Sequence, residues 1–415
     1  MKRTARLALA VAVALAAPAA FAQSKAAPSK ASPAPSKAAP AAKAPIANYW
    51  MDIATVHLAM PGAEDMADMP ILGNLMGNAF GGSKVGVMPG KWMDLALYTR
   101  QKPAGTNGTH AIPPGMAMGA SLPLEPVPKP QPGGTSGQFD YERPKGRLLL
   151  YWGCSPTVRP GQPRVLDMAT ASIEDFGRFF MGRYSPERGA TSRPGHAIWP
   201  NETDRQRVPK DASLLGEHAV TGDGVPPGLK FAIGERQDFM ERLRLAAPGD
   251  PKASIEASWN AVAHARAYFL QAMGGDGNDM ILWSSSDVPD AGLGLVDYLS
   301  HANIDQWVKD KVLMPATQQR CAIPQGIFGQ AGGAMLRGIA YGNELNLVHP
   351  PRPTDARALA AWNPEWSLRV RVKSTAMAML GAEDDGGRRG GREREPKKEE
   401  AVNPLDILRK GIFGR

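Results

Sequence analysis

Residues 253–286 read ASIEASWNAVAHARAYFLQAMGGDGNDMILWSSS, and this stretch decides the fold class. Ile255, Ala257 and Trp259 alternate with Glu256 and Ser258, the period-2 signature of a strand with one buried face. A second apolar run, Ala267 to Met273, follows a break at Ala263-His264-Ala265. A third, Met280 to Trp283, follows Gly274-Gly275-Asp276-Gly277-Asn278-Asp279, residues that reach positive φ or cap their own backbone at little cost. Three antiparallel strands are the expectation.

Outward from there the chain keeps a β character. Arg147 to Cys154, RLLLYWGC, is a continuous apolar run between Gly146 and Ser155-Pro156, which predicts a strand buried on both faces. Trp366 to Lys373 places Leu368, Val370 and Val372 on one face and Arg369, Arg371 and Lys373 on the other. That pattern predicts a strand with a cationic outer face, which is also how edge strands are kept from aggregating. Met335 to Val348 reads as a strand or hairpin. Trp50-Met51-Asp52-Ile53-Ala54 and Trp92-Met93-Asp94-Leu95-Ala96 echo each other as strands, around a loose Gly- and Met-rich excursion, Pro61 to Gly90. Prolines at 113, 114, 123, 126, 128, 130 and 132 predict a linker or surface loop over 112–134. Helical spacing of Leu295, Leu299, Ile304, Trp307, Val308 and Leu313 predicts a helix near 294–314, ended by Pro315.

The whole is expected to be mainly β: one or two β-sandwich-like domains with one or two short helices and disordered terminal segments. Residues 1–22 combine Lys2, Arg3 and Arg6 with an Ala/Val/Leu run and Ala20-Phe21-Ala22, the pattern of a signal peptide. Residues 23–47 form an Ala/Pro/Lys-rich flexible linker. A β-rich region over 48–250 and a β-sandwich-like region over 251–381 follow. The chain then has a charged tail over 382–402, disordered by composition, and a short amphipathic segment over 403–415. Seven bases and no acid precede Ala47, and the residues after Ala382 add one more positive charge of the net +8. Residues 48–382 are therefore formally neutral, which argues against nucleic acid as a partner. No stretch beyond the leader approaches the roughly 20 apolar residues of a membrane-spanning helix, so no transmembrane segment is expected in the mature chain.

Trp259 and Tyr268, in SWNAVAHARAY, resemble the B and C strands of fibronectin type III modules, with a strand-borne Trp, a small-residue bend and a Tyr-led strand. The resemblance implies that Trp259 anchors a sandwich core with Tyr268 packed beside it, and it brings no catalysis. The run GRLLLYWGCSPTVRPGQPRVLDMA, residues 146–169, resembles a group of uncharacterised exported proteobacterial proteins, which likewise carries no activity.

Catalytic signatures are sparse. The chain has no Gly-x-Ser-x-Gly, Ser-x-x-Lys, phosphate-loop or His-Glu-x-x-His pattern, and its seven histidines show no ligand spacing. Residues 274–279 match the core of calcium-binding repeats, but a single copy supplies half a site, so a hairpin turn is expected there. Met66-Ala67-Asp68-Met69 and Met116-Ala117-Met118 have thioether spacings suited to Cu(I), against which stands apolar filling. Cys154 and Cys321 could pair in an oxidising compartment or remain separate buried thiols; a bridge would be worth on the order of 4–5 kcal/mol. Leu405, Leu408 and Ile412 share one helical face and form a candidate docking stripe. The expectation is a non-enzymatic periplasmic or cell-envelope protein with a structural or binding role, its partner an envelope protein or surface polymer that exposed tryptophans could stack on. Neither cofactor nor metal is expected. The alternatives are a periplasmic hydrolase using Asp167, Glu174 and Asp175, and a Met-rich copper-binding protein.

Overall fold

The structure, a computed structural model, describes residues 43–59, 79–86, 88–128, 145–331 and 333–381. In chain order the first elements are β1 (Ala47–Ala59), α1 (Gly82–Val85), β2 (Gly90–Thr99), β3 (Gly108–Ala111), β4 (Ser121–Pro126), β5 (Arg147–Trp152) and β6 (Arg164–Asp167). Then come α2 (Ile173–Phe179), β7 (Ala197–Trp199), β8 (Gly216–Gly222), β9 (Lys230–Ile233), β10 (Leu245–Ala246), β11 (Ile255–Trp259), β12 (Ala267–Asp276) and β13 (Asp279–Ser284). The last are α3 (His301–Lys309), β14 (Met314–Pro315), β15 (Arg320–Ile323), β16 (Ala334–His349), α4 (Ala356–Ala361) and β17 (Trp366–Met379). The protein is mainly β, with 39% strand against 12% helix.

One 14-stranded mixed sheet runs in the order β6-β5-β13-β12-β16-β17-β1-β2-β7-β4-β3-β8-β9, with β14 beside β12. Two pairs in it are parallel, β1 with β17 and β5 with β13. A second sheet holds β10-β11-β15. Strands from either side of residue 250 thus interleave in one sheet, and the described residues from Lys43 onward belong to one compact unit, so the division expected there does not cut the fold.

One face of the large sheet carries Tyr49, Met51, Ile53, Leu368, Val370 and Val372 into the main core. The β9 end of the large sheet and the separate small sheet both pack over it. At one end the sheet curls back, so that Phe231 on β9 packs against Tyr49 on β1, ring centroids 6.2 Å apart. Elsewhere the small sheet covers β16: a Cβ on Gly338 would lie 3.1 Å from Leu245, so glycine permits this approach.

Several expectations change. Residues 255–284 do form three strands, but only β12 and β13 pair with each other; β11 lies in the small sheet with Ile255, Ala257 and Trp259 inward. Trp259 is buried, with its ring 5.5 Å from that of Tyr268. β17 is not an edge strand but sits in the sheet's interior between β16 and β1. The surface loop expected over 112–134 contains β4, with Met116, Leu122 and Leu124 buried. Each residue of β4 pairs on one side only, with β3 up to Leu124 and with β7 afterwards, which accommodates Pro123 and Pro126 without a lost ladder donor. The helix near 294–314 shortens to α3, because Ser300 caps it by accepting from the Asn303 amide at 3.2 Å.

Cys154 and Cys321 are disulfide-bonded across 167 residues, tying the chain after β5 to β15 of the small sheet. A closed loop of that length constrains the unfolded chain by roughly 5 kcal/mol in the entropy model. Replacing both cysteines by alanine is expected to lower the thermal midpoint by several degrees, read by circular dichroism, with wild type in reductant moving to the same value. An unchanged midpoint would show that the bridge contributes nothing.

Candidate functional site, a buried row of charges

Four charged residues lie across four neighbouring strands: Glu344 on β16 opposite Arg371 on β17, Arg371 opposite Asp52 on β1, and Asp52 opposite Asp94 on β2. Alternation places them on the face turned away from the main core. That face is covered by residues 79–86, 187–190 and 296–298, which bury Asp52, Asp94, Arg371 and Lys373 to 4% exposure or less. Removing such charges from water is costly unless every one is paired.

The Arg371–Asp52 contact is two-pronged, Nε to Oδ1 at 2.7 Å and Nη2 to Oδ2 at 2.6 Å. The Ala190 amide donates a further bond to Oδ2 at 3.0 Å. Burial opposes the Arg371 charge, but Asp52 outweighs it and leaves the guanidinium pKa raised. Lys84 on α1 stands 2.6 Å from Glu187 and 3.8 Å from Asp52, and it donates to the Ala190 carbonyl at 2.9 Å. Burial works to raise the Glu187 pKa; the hydrogen bonds from Lys84 and the Gly189 amide, with the charges of Lys84 and Arg371, pull it down to about 2. A Cβ on Gly189 would lie 1.7 Å from Arg371 Nη2, so glycine is required where this segment crosses the pair.

Asp94 faces Asp52 across the strand pair, an unfavourable juxtaposition of like charges. Burial first, then Asp52, raises its pKa to about 6 against three hydrogen bonds, from the Gly81 amide at 2.8 Å, the Ser83 amide at 3.1 Å and the Ser83 hydroxyl. Lys373 donates to the carbonyls of Val296 at 3.0 Å and Lys84 at 3.3 Å, and its Nζ lies 4.5 Å above the Tyr298 ring. Burial lowers its pKa to about 8. Arg371 faces the same ring at 4.6 Å. Chemically the arrangement is a clamp, in which cations of β17 and acids of β1 and β2 bind the polar atoms of three covering segments.

The residues singled out from sequence lie elsewhere. Asp175 accepts from the Ser172 amide and hydroxyl and from Arg178, completing a capping box that lowers its pKa to about 2. Asp167 accepts from the Ala169 amide at 2.9 Å, and Glu174 is exposed in the first turn of α2. Asp167 and Asp175 thus serve local structure. Residues 274–276 end β12, paired with β13, and only Gly277 and Asn278 make the turn between them; Asp279, which opens β13, receives Arg147 through its amide at 2.8 Å and its guanidinium. Met51, Met93, Met116 and Met118 are buried in the main core, while Met66 and Met69 lie outside the described residues. Trp259, Trp283 and Trp366 are buried. Leu405, Leu408 and Ile412 also lie outside the described residues. The sequence signal for the clamp was the echo itself, an aspartate at the centre of each of two apolar strands.

Two substitutions test the clamp. Lys373→Met removes a cation that hydrogen-bonds two carbonyls and packs on the Tyr298 ring, with no carboxylate in direct hydrogen-bond contact among the described residues, and it is expected to keep or raise the thermal midpoint. The unfolded state holds more protons on Lys373 between about pH 8 and 10.5, so wild type should gain stability relative to the variant as pH rises through that window. For Asp94→Asn the sign reverses: the contribution of the raised pKa is present below 3.8 and lost as pH rises through about 6, so wild type should lose stability relative to the variant there. Parallel, pH-independent offsets would contradict both assignments. No protein-family model matches the chain, and no curated protein matches its sequence.

Proposed function

We propose that the protein is a non-enzymatic component of the periplasm or cell envelope, with a structural or binding role toward an envelope protein or a surface polymer. The observation that carries this reading is that the ionisable side chains gathered on the central strands are bound to one another and to backbone groups, which makes them holders of the fold. The signal-peptide pattern of residues 1–22 and the Cys154–Cys321 bridge support export, because such bridges persist in oxidising compartments. Among the described residues no helix is long and apolar enough to cross a membrane. A binding surface for a polymer draws support from the half-buried rings of Trp50, Tyr98 and His196, which gather where the charged face of β1 and β2 reaches solvent, with Trp50 and His196 stacked at 5.4 Å.

Fractionation of cells expressing the full chain, with thiol labelling before and after reduction, tests the compartment. The expected result is protein in the periplasmic or envelope fraction that labels only after reduction. Recovery in the cytoplasm with both thiols free would overturn it. Co-sedimentation of the mature chain with purified cell wall then tests the polymer version, with Trp50→Ala expected to weaken any binding severalfold.

A further inference from the structure

A second polar group sits in the main core, remote from the clamp in its bonding and built without a permanent charge. Tyr49 on β1, His110 on β3 and His218 on β8 are all at least 98% buried and form a continuous chain. Tyr49 Oη lies 2.9 Å from His110 Nδ1, His110 Nε2 lies 3.0 Å from His218 Nδ1, and His218 Nε2 lies 2.7 Å from the Leu214 carbonyl.

The carbonyl settles every proton. A carbonyl only accepts, so His218 Nε2 carries hydrogen and Nδ1 of the neutral ring must accept. His110 Nε2 therefore donates, its Nδ1 accepts, and the Tyr49 hydroxyl donates to it. The chain is unidirectional, and all four ring nitrogens are engaged. Burial holds the His110 pKa well below its usual value, helped by His218, and burial lowers that of His218.

An added proton has no satisfactory place. On His218 Nδ1 it would set one N–H against another. If His110 shifts to its other tautomer to relieve that contact, His110 Nδ1–H points at the Tyr49 oxygen and expels the hydroxyl hydrogen into the core. Phe231 on β9, parallel to the His218 ring at 5.2 Å and 6.2 Å from the Tyr49 ring, presents only carbon and hydrogen to that group. The acids acting on the chain are Glu217 of β8 and Asp238, both through His218; Asp238 also accepts from the Leu214 amide at 2.8 Å and the Ser213 hydroxyl at 2.6 Å, which fixes the terminal carbonyl.

The position matters as much as the chemistry. In the sheet β1 is separated from β3 by β2, β7 and β4, so the Tyr49–His110 bond fastens the curled-back end of the sheet to its centre. We propose that Tyr49, His110 and His218 form a proton-operated latch: mild acid releases β3, β8 and β9 from β1 and uncovers the apolar underside that includes Val220, Leu229 and Phe231. The sign follows from linkage. Both histidines are neutral when latched and charge readily when released, so proton uptake accompanies opening, and the opening constant rises about tenfold per pH unit for each proton taken up.

Hydrogen exchange of the oxidised, full mature chain at pH 7.5 and pH 5.0, corrected for the intrinsic pH dependence of exchange, tests the latch. Amides of residues 216–222 and 230–233 should lose protection by about tenfold or more at pH 5.0 and regain it on return, while β12 and β16 keep theirs. His110→Gln/His218→Gln, which cannot take up the proton, should show an acid response reduced to a few-fold at most. Equal acid responses in both proteins, or none in wild type, would overturn the proposal. Histidine ring NMR on wild type gives a check free of any folding defect in the variant: His110 and His218 should each carry hydrogen on Nε2 at pH 7.5 and charge only as β8 and β9 open. Ordinary titration of either ring with protection unchanged would also overturn it.

Discussion

The Arg371–Asp52 pair governs the arrangement around it because it lies in the interior of a 14-stranded sheet, sealed from water on both faces. A guanidinium and a carboxylate in that position are tolerable only with nearly all their hydrogen-bonding groups occupied. The covering segments are shaped by that demand. Residues 187–190 bring a carboxylate, an amide and a glycine to the pair, residues 79–86 bring a lysine, and Tyr298 brings the face of a ring. The net stabilisation from such a cluster can be small, since apolar residues of the same volume would do as well. What it supplies is specificity, because only one placement of three irregular segments satisfies all the charges at once.

The connectivity adds a second constraint. β1 and β17, some 300 residues apart, run side by side over thirteen paired positions. The clamp therefore cannot assemble until nearly the whole described chain has come together, and a fold rich in such distant pairings forms slowly. The Cys154–Cys321 bridge reduces the loop that must close between β5 and β15, and the Tyr49–His110 contact does the same kind of work at the sheet's other end by noncovalent means. Core and latch thus share one face of β1, which carries the apolar side chains and Tyr49, and the clamp takes the other through Asp52.

Much of the β character was legible in local patterns. Ile255, Ala257 and Trp259 are inward as their alternation requires, and Leu368, Val370 and Val372 share the buried face of β17. Alternation states which side chains share a face and nothing of what covers that face. For that reason Arg369, Arg371 and Lys373 read as a solvent face, although segments more than 70 residues away in sequence bury two of them. Prolines misled over 112–134 because a strand that pairs on one side at a time can hold them. Asp52 and Asp94 were visible as acids in apolar strands, but their direct opposition depends on a register that no local pattern encodes. The histidine chain joins β1, β3 and β8, and its members are 61 and 108 residues apart, beyond any motif spacing.

The Arg371–Asp52 pair couples the covering segments to the sheet. A double-mutant cycle built from Asp52→Ala, Arg371→Met and the combined variant, measured by denaturant unfolding at pH 7, tests it most directly. Each single substitution should cost about 3–5 kcal/mol by leaving a buried charge unpaired, and the double should recover most of that loss. Additive costs with a coupling energy near zero would show that Arg371 and Asp52 do not act as a pair.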